Sequence, residues 1–278
     1  MPERECAPGV RWKPSRRCGR VAGTCANGRA LTLIIALLSD IHANLEALNA
    51  CLRHAVQTGT QRFVFLGDLV GYGADPQAVV ERIAGYAAEG AVVIKGNHDE
   101  AVEKTHGYMN DSLRQVIQWT RGKLSSEARA FLSALPLQAR EGDISFVHAS
   151  AAAPQRWTYI DSPAQAQRCI EAANTTYTFV GHVHEQELYF EVGAGKATLF
   201  RPVPGSAIPI GRHRRWLAIV GSVGQPRDSN PAAAYVQFDT DRERITFRRV
   251  PYDHHAAARK IEAAGLPLSI AYRVARGV

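Results

Sequence analysis

The chain has 278 residues, 46% hydrophobic and 21% charged, a balance that fits a folded globular protein and argues against an intrinsically disordered one. No apolar run in it reaches the length that a membrane-spanning helix needs. Of the net charge of +7, residues 1–30 carry +5 (seven Lys or Arg against two Glu), leaving +2 for the rest, so the basic balance does not indicate a nucleic-acid surface.

Residues 1–30 are rich in Arg, Gly and Ala without helical or strand period, and are expected to be a disordered extension of a single domain spanning 31–278. Ser15-Arg16-Arg17 ahead of the apolar Leu31–Leu38 imitates a twin-arginine export signal. Cleavage after that run would remove the first core strand and endanger Asp40 and His42, which opposes export. Cys6, Cys18, Cys25, Cys51 and Cys169 form no framework spacing and suit reduced thiols in a cytoplasmic protein, with Cys51 and Cys169 on helices.

In chain order, Leu31–Leu38, Arg62–Leu66, Ala91–Ile94, Ile144–Val147 and Tyr177–Val180 are short apolar runs that read as strands buried on both faces. Leu45–Gln57 carries Leu45, Leu48, Leu52 and Val56 at helical spacing, and Pro76–Ala88 is a second helix opened by proline. This alternation predicts a parallel sheet whose ligands gather at the carboxyl ends of its strands. After His184, Glu187–Val192, Ala197–Phe200, Trp216–Val220, Ala234–Asp239 and Arg244–Val250 read as strands between turn residues. They predict a second, largely antiparallel sheet stacked on the first. His254–Ala264 and Leu268–Ala275 have helical character and are expected to pack outside.

A polar island follows each of the first five strands: Ser39-Asp40-Ile41-His42-Ala43-Asn44, Gly67-Asp68, Gly96-Asn97-His98-Asp99, Val147-His148 and Gly181-His182-Val183-His184. Singly, each has a bland reading. Asn44 fits the N-cap of the helix from Leu45, Asn97 a turn residue, and a lone His148 or His182 a core histidine. Jointly, every one of these strand ends carries a group able to bind a metal. The set of carboxylate, imidazole and carboxamide donors suits two divalent ions, with Mn²⁺ first and Fe, Zn²⁺, Co²⁺ or Ni²⁺ compatible.

Read as D-x-H, G-D, G-N-H-(D or E), H and G-H-x-H, the islands resemble the signature of the calcineurin-like metallophosphoesterases, over about Leu31 to the C-terminus. The resemblance implies an α/β fold of four layers, two stacked mixed β-sheets flanked by helices. It implies one ion on Asp40, His42, Asp68 and His184, and a second on Asp68, Asn97, His148 and His182, with Asp68 bridging. His98 matches the catalytic histidine, which is not a ligand. Hydroxide held between the ions would attack the phosphoester, and His98 would protonate the leaving alkoxide.

The second island reads Gly67-Asp68-Leu69-Val70-Gly71-Tyr72-Gly73, where protein Ser/Thr phosphatases and symmetrical dinucleoside tetraphosphatases carry G-D-x-V-D-R-G. It is similar to the bacterial and archaeal phosphodiesterase branch instead, and something other than the missing aspartate must orient His98. The expected substrate is a nucleotide or other small phosphoester. A protein phosphatase or a dinucleoside polyphosphate hydrolase is the alternative within the family, and a non-catalytic metal-binding scaffold the alternative outside it. Gly221-Ser222-Val223-Gly224-Gln225-Pro226-Arg227-Asp228 resembles a family turn near the metals. Arg227 is either a phosphate clamp or a solvated turn residue, and Tyr72, Tyr159 and Asn44 are further candidates to meet substrate.

Overall fold

The computed structural model describes residues 33–104, 111–193 and 195–278. The expectations for residues 1–30 lie outside these.

Two six-stranded sheets face each other. The first contains β1 (Ile34–Leu38), β2 (Arg62–Phe65), β3 (Val92–Val93), β9 (Ala207–Pro209), β11 (Ala233–Asp239) and β12 (Arg244–Val250), in the spatial order β3-β2-β1-β11-β12-β9. The second contains β4 (Gln138–Glu141), β5 (Ile144–Val147), β6 (Tyr177–Val180), β7 (Gln186–Val192), β8 (Lys196–Phe200) and β10 (Trp216–Val220), in the order β4-β5-β6-β10-β7-β8. Helices α1 (Leu45–Gln57), α2 (Pro76–Ala88), α3 (Asn97–Glu103), α4 (Asp111–Lys123), α5 (Ser126–Ala134), α6 (Pro163–Ala173), α7 (His254–Ala263) and α8 (Leu268–Arg276), with a single 3-10 turn at Pro154–Arg156, complete the described elements.

The side-chain alternation of β1 shows how the layers form. Ile35 and Leu37 pack between the sheets with Val64, Leu66, Phe146, Phe179 and Val236, while Ala36 and Leu38 face the cluster that includes α1, α2 and α5. On the far side, Val147, Val180, Leu217 and Ile219 pack on Ala166, Cys169 and Ile170 of α6. The order helix, sheet, sheet, helix is the expected four-layer architecture. Leu45–Gln57, Pro76–Ala88, Ile144–Val147, Tyr177–Val180, Trp216–Val220 and Arg244–Val250 fall where the sequence placed them.

The division of strands between sheets is corrected. The first five strands do not share one sheet: β5 and β6 pair with each other and with β10, while β11 inserts beside β1. Both sheets are therefore mixed, with β1, β2 and β3 parallel in one and β5, β6 and β10 parallel in the other. The physical reason is that an apolar run fixes burial but not its neighbour, so pairing is settled by which strands the packed helices bring together. The consequence is functional. The islands project from the parallel halves of both sheets and meet across the sandwich. Among the described residues no helix is long and apolar enough to cross a membrane.

Candidate metal centre

The loops that carry the islands are held in costly backbone conformations. Asp40, His42, Asp68, His182 and His184 all have positive φ, between 49° and 69°, as does Tyr72 at 61°. Non-glycine residues rarely adopt this region, at a cost of about 1–3 kcal/mol each, and such strain collects at functional sites. Hydrogen bonds between the loops hold them there. Asp40 N donates to Gly67 O (3.1 Å), His42 N to Asp68 O (2.9 Å) and Gly181 N to His148 O (2.9 Å).

The turn after β10 fastens the first island from the other sheet. Val223 N donates to Ser39 O and Gly224 N to Asp40 O, both at 2.9 Å, and Ser222 Oγ donates to Asp40 O at 2.8 Å. A Cβ on Gly224 would run into the Ile41 carbonyl, which explains the glycine.

Three overlapping groups of side chains converge: Asp40, His42 and His184; His42, Asp68 and His98; and Asp68, His148 and His182. Within each, the ligand-type atoms lie within 4.8 Å of one another. Asp68 belongs to two groups. Its Oδ1 accepts from His98 N (2.8 Å), while Oδ2 lies 3.4 Å from His148 Nε2 and 3.7 Å from His42 Nε2. Asp40 is divided in the same way. Oδ2 accepts from His182 N (2.9 Å), and Oδ1 is buried without a hydrogen-bond donor, 3.2 Å from His184 Nε2. Asn97 Oδ1 lies 3.2 Å from His148 Nε2.

Four of the five histidines share one device: a ring nitrogen turned away from the cluster meets a backbone carbonyl. His42 Nδ1 meets Val70 O (3.2 Å), His148 Nδ1 meets Leu66 O (2.7 Å), His184 Nδ1 meets Gln225 O (2.6 Å) and His182 Nε2 meets Trp157 O (3.0 Å). A carbonyl can only accept, so it fixes the tautomer and leaves the inner nitrogen with a lone pair for a cation. The Nε2 atoms of His42 and His184 then approach to 3.2 Å. Two lone pairs that face each other at this distance call for a proton or a metal ion at the cluster. With the undonated Asp40 oxygen, this donor set fits divalent metal.

His98 lacks the device. Its Nδ1 is buried without a partner, and its Nε2 lies 4.0 Å from Asp68 Oδ2. Gly71 stands where the related phosphatases have their second aspartate, and a Cβ there would collide with His98 Nδ1. His98 is thus oriented by packing against a bare glycine and by rings of Tyr72 (4.6 Å between centroids) and His42 (4.8 Å).

Electrostatics follow from burial and crowding. Burial, helped by neighbouring imidazoles, pushes the His42 and His98 pKa values down, and His182 down to about 4. Burial would raise Asp40 and Asp68, but His184 beside the first and His148 beside the second hold both carboxyls below the usual range. His148 moves the other way. Burial opposes its charge, yet Asp68 and Asp40 raise it to about 9.

Sequence reasoning placed no role on Asp99 or Trp157. The Asp99 carboxylate accepts from Leu69 N, Val70 N and Gly96 N, clamping the second island to the third. Burial and the nearby Asp68 push it up to about 7. Its place three residues after Gly96, at a helix start, is a capping-box spacing legible in advance. Trp157 contributes a backbone carbonyl, for which sequence offers no signal.

The remaining candidates separate. Asn44 is the N-cap of α1, accepting from Ala47 N (3.1 Å), and its amide donates to Gly224 O and Tyr252 Oη. Both amide hydrogens are committed to scaffold. Tyr72 packs on His42 and His98, and the half-exposed Tyr159 stacks on His182 at 4.1 Å. Arg227 N donates to His184 O (3.3 Å), and its buried Nε has no partner.

The calcineurin-like phosphoesterase superfamily domain matches residues 33–243. An uncharacterized protein of Methanocaldococcus jannaschii is 35% identical over 240 residues, covering 84% of this chain and 94% of that protein. The crystal structure of a metallophosphoesterase from Sphaerobacter thermophilus is 34% identical with a TM-score of 0.79, covering 89% of this chain and 100% of that one. A hypothetical protein of Pyrococcus horikoshii OT3 shares the fold at 20% identity, TM-score 0.71, with 88% and 99% coverage. Two mixed six-stranded sheets, polar islands at their parallel strand ends and a match through every island together place this chain in the calcineurin-like phosphoesterase superfamily.

Proposed function

We propose that the chain is a dimetal phosphodiesterase acting on nucleotides or other small phosphoesters. Asp40, His42, Asp68 and His184 hold one ion, and Asp68, Asn97, His148 and His182 the other. The observation that supports this best is the carbonyl behind each of the four ligand histidines and its absence behind His98. The superfamily is dimetal-dependent, and manganese is the metal we propose first. When bound, such ions polarise phosphoryl oxygens and activate water as a nucleophile.

The protein's own groups do the rest. Asp68, with Oδ2 facing both halves of the cluster, holds the two sites at a fixed separation. His98 supplies a proton to the departing oxygen. Burial depresses its pKa, and the negative charge of a phosphoester beside it favours the protonated form needed for this step. Arg227, with an unpaired buried Nε beside the His184 loop, holds a phosphoryl oxygen, and Tyr72 covers His42 and His98 from water. The reaction takes place in a cytoplasmic protein on a small-molecule substrate.

The test is turnover of bis(p-nitrophenyl) phosphate by protein of measured metal content, with and without added Mn²⁺. Turnover that requires two ions per chain is the expected result. Two bound ions with no turnover of any diester or monoester would turn the reading into the metal-binding scaffold.

A further inference from the structure

Tyr72 is shared by two features of the molecule. One face lies against His42 and His98, each 4.6 Å away between ring centroids. The residue also packs on an apolar cluster built from Val116 of α4, Ala257, Ala258 and Ile261 of α7, and Ile270, Ala271 and Val274 of α8. Beside it opens a cavity of about 190 Å³, lined by Tyr72, Ser112, Leu113, Ser269, Ile270 and Arg273. The cavity therefore lies one tyrosine ring from the metal centre.

Its lining points to an anion. Ser269 and Arg273 are one helical turn apart on α8, and Ser112 faces them from α4. None of the ion pairs among the described residues involves Arg273. Asp111, the carboxylate adjacent to Ser112, lies 3.2 Å from Arg114 instead. The guanidinium nonetheless acts on the Tyr72 hydroxyl. Burial raises that group, while Arg227 and Arg273 both pull it down. Two arginines thus act on Tyr72, Arg227 from the turn after β10 and Arg273 from beside the cavity.

Size narrows the occupant. Pockets that enclose drug-sized ligands measure about 300–1,000 Å³. A cavity of about 190 Å³ holds a phosphate or carboxylate on a short linker rather than a nucleoside. Ser269, Ile270 and Arg273 come from α8, which lies beyond residue 243, where the match to the family domain ends, while Ser112 and Leu113 come from α4 within it.

Resting on the proposed phosphoesterase activity, we infer that this cavity is a specificity subsite for a second anionic group, carried on the leaving-group side of the substrate. Arg273 is its cation, and Ser112 and Ser269 are its hydroxyl donors. Hydrolysis would occur at the metal-bound phosphoryl group while the second anion, reaching past Tyr72, is held by Arg273. The preferred substrates are then small bis-anionic phosphoesters.

A matched pair of probes tests this: propane-1,3-diol monophosphate and propane-1,3-diol bisphosphate, assayed with metal-loaded protein. The wild type should show a higher kcat/KM on the bisphosphate. Arg273→Gln should lower the ratio of the two kcat/KM values by about 10- to 100-fold, through KM, as expected for loss of a charged hydrogen bond. Arg273→Lys should recover part of it. Arg276→Gln, on the same helix but outside the cavity lining, should leave the ratio alone. An unchanged ratio in Arg273→Gln, or an equal fall in Arg276→Gln, overturns the subsite. If the wild type turns over neither probe, the phosphoesterase reading has failed with these substrates, and calorimetric titration of the bisphosphate into wild type and Arg273→Gln still decides the subsite. Equal affinity of the two proteins overturns it, and weaker binding to the variant supports it.

Discussion

The inner cluster and its rim are built on different physical terms. Asp40, His42, Asp68, His148 and His184 are buried, most have positive φ, and the histidines are pinned by backbone carbonyls. At the rim, Tyr159 is 48% exposed, Ser112, Ser269 and Arg273 are exposed, and Arg227 makes one long side-chain hydrogen bond, to Gln225 Oε1 at 3.3 Å. The inner atoms are fixed by main chain, which side-chain substitution elsewhere hardly moves. The rim is fixed by side chains on α4 and α8 and on the loops after β5 and β10. Changes at the carbonyl-pinned histidines and the two carboxylates inside should abolish turnover of every substrate, whereas changes at the rim should re-rank substrates.

The largest effect is expected at the shared carboxylate. Asp68→Asn keeps shape but removes the charge that faces His42, His148 and His98. Metal content by mass spectrometry and turnover should fall together, by more than the ~10–100-fold typical of losing a group behind a metal ligand. A variant with two ions per chain and the wild-type rate would remove Asp68 from the bridging position.

Next comes His98, which lies in the inner cluster without the carbonyl support of its neighbours. His98→Asn should keep two ions and lose about 10²–10⁴-fold on alkyl or nucleoside esters. On p-nitrophenyl esters the loss should be far smaller, because nitrophenolate departs without a proton. Equal losses on both classes, with metal retained, would reduce His98 to a residue that positions substrate.

A pH dependence separates the halves of the cluster. With no cation present, His148 is raised to about 9, so near neutrality it carries a proton that a metal must displace. His182 and His42 are shifted down and are already neutral there. Metal uptake at pH 7.5 should therefore release a proton, read as a buffer-dependent heat in calorimetry. Affinity at the His148 site should rise by up to about tenfold per pH unit until the pH reaches the His148 pKa, then level off. Uptake without proton release would mean that His148 is neutral beforehand.

The sequence carried the inner cluster well and the rim poorly, for a physical reason. Asp40, His42, Asp68, Asn97, His98, His148, His182 and His184 sit in short motifs directly after apolar runs, so type and position are both local facts. Strand partners are not local. Tyr177–Val180 was legible as a strand, but nothing within it selects β5 and β10 as neighbours. Gly71 could be seen to lack the related phosphatases' aspartate, yet only the folded loops show His98 Nδ1 filling the space. Arg273 is about 200 residues from Tyr72 in the chain, and only the packing of α8 brings them to one cavity.

The smallest effect on catalysis is expected at Asn44, which belongs to a motif of the inner cluster but acts as scaffold. Its Oδ1 caps α1, and its amide ties Gly224 O and Tyr252 Oη to the first island. Asn44→Ala removes the cap, worth about 0.5–2 kcal/mol, and strips a donor from a buried carbonyl. A chain of this size loses about 2–4 °C of Tm per kcal/mol, so the variant should melt several degrees lower. Below its Tm it should retain two metals and the wild-type KM, because the inner nitrogens and oxygens keep their own backbone supports. A raised KM with unchanged Tm would return Asn44 to the substrate and would show that the boundary between inner cluster and scaffold runs on the other side of α1.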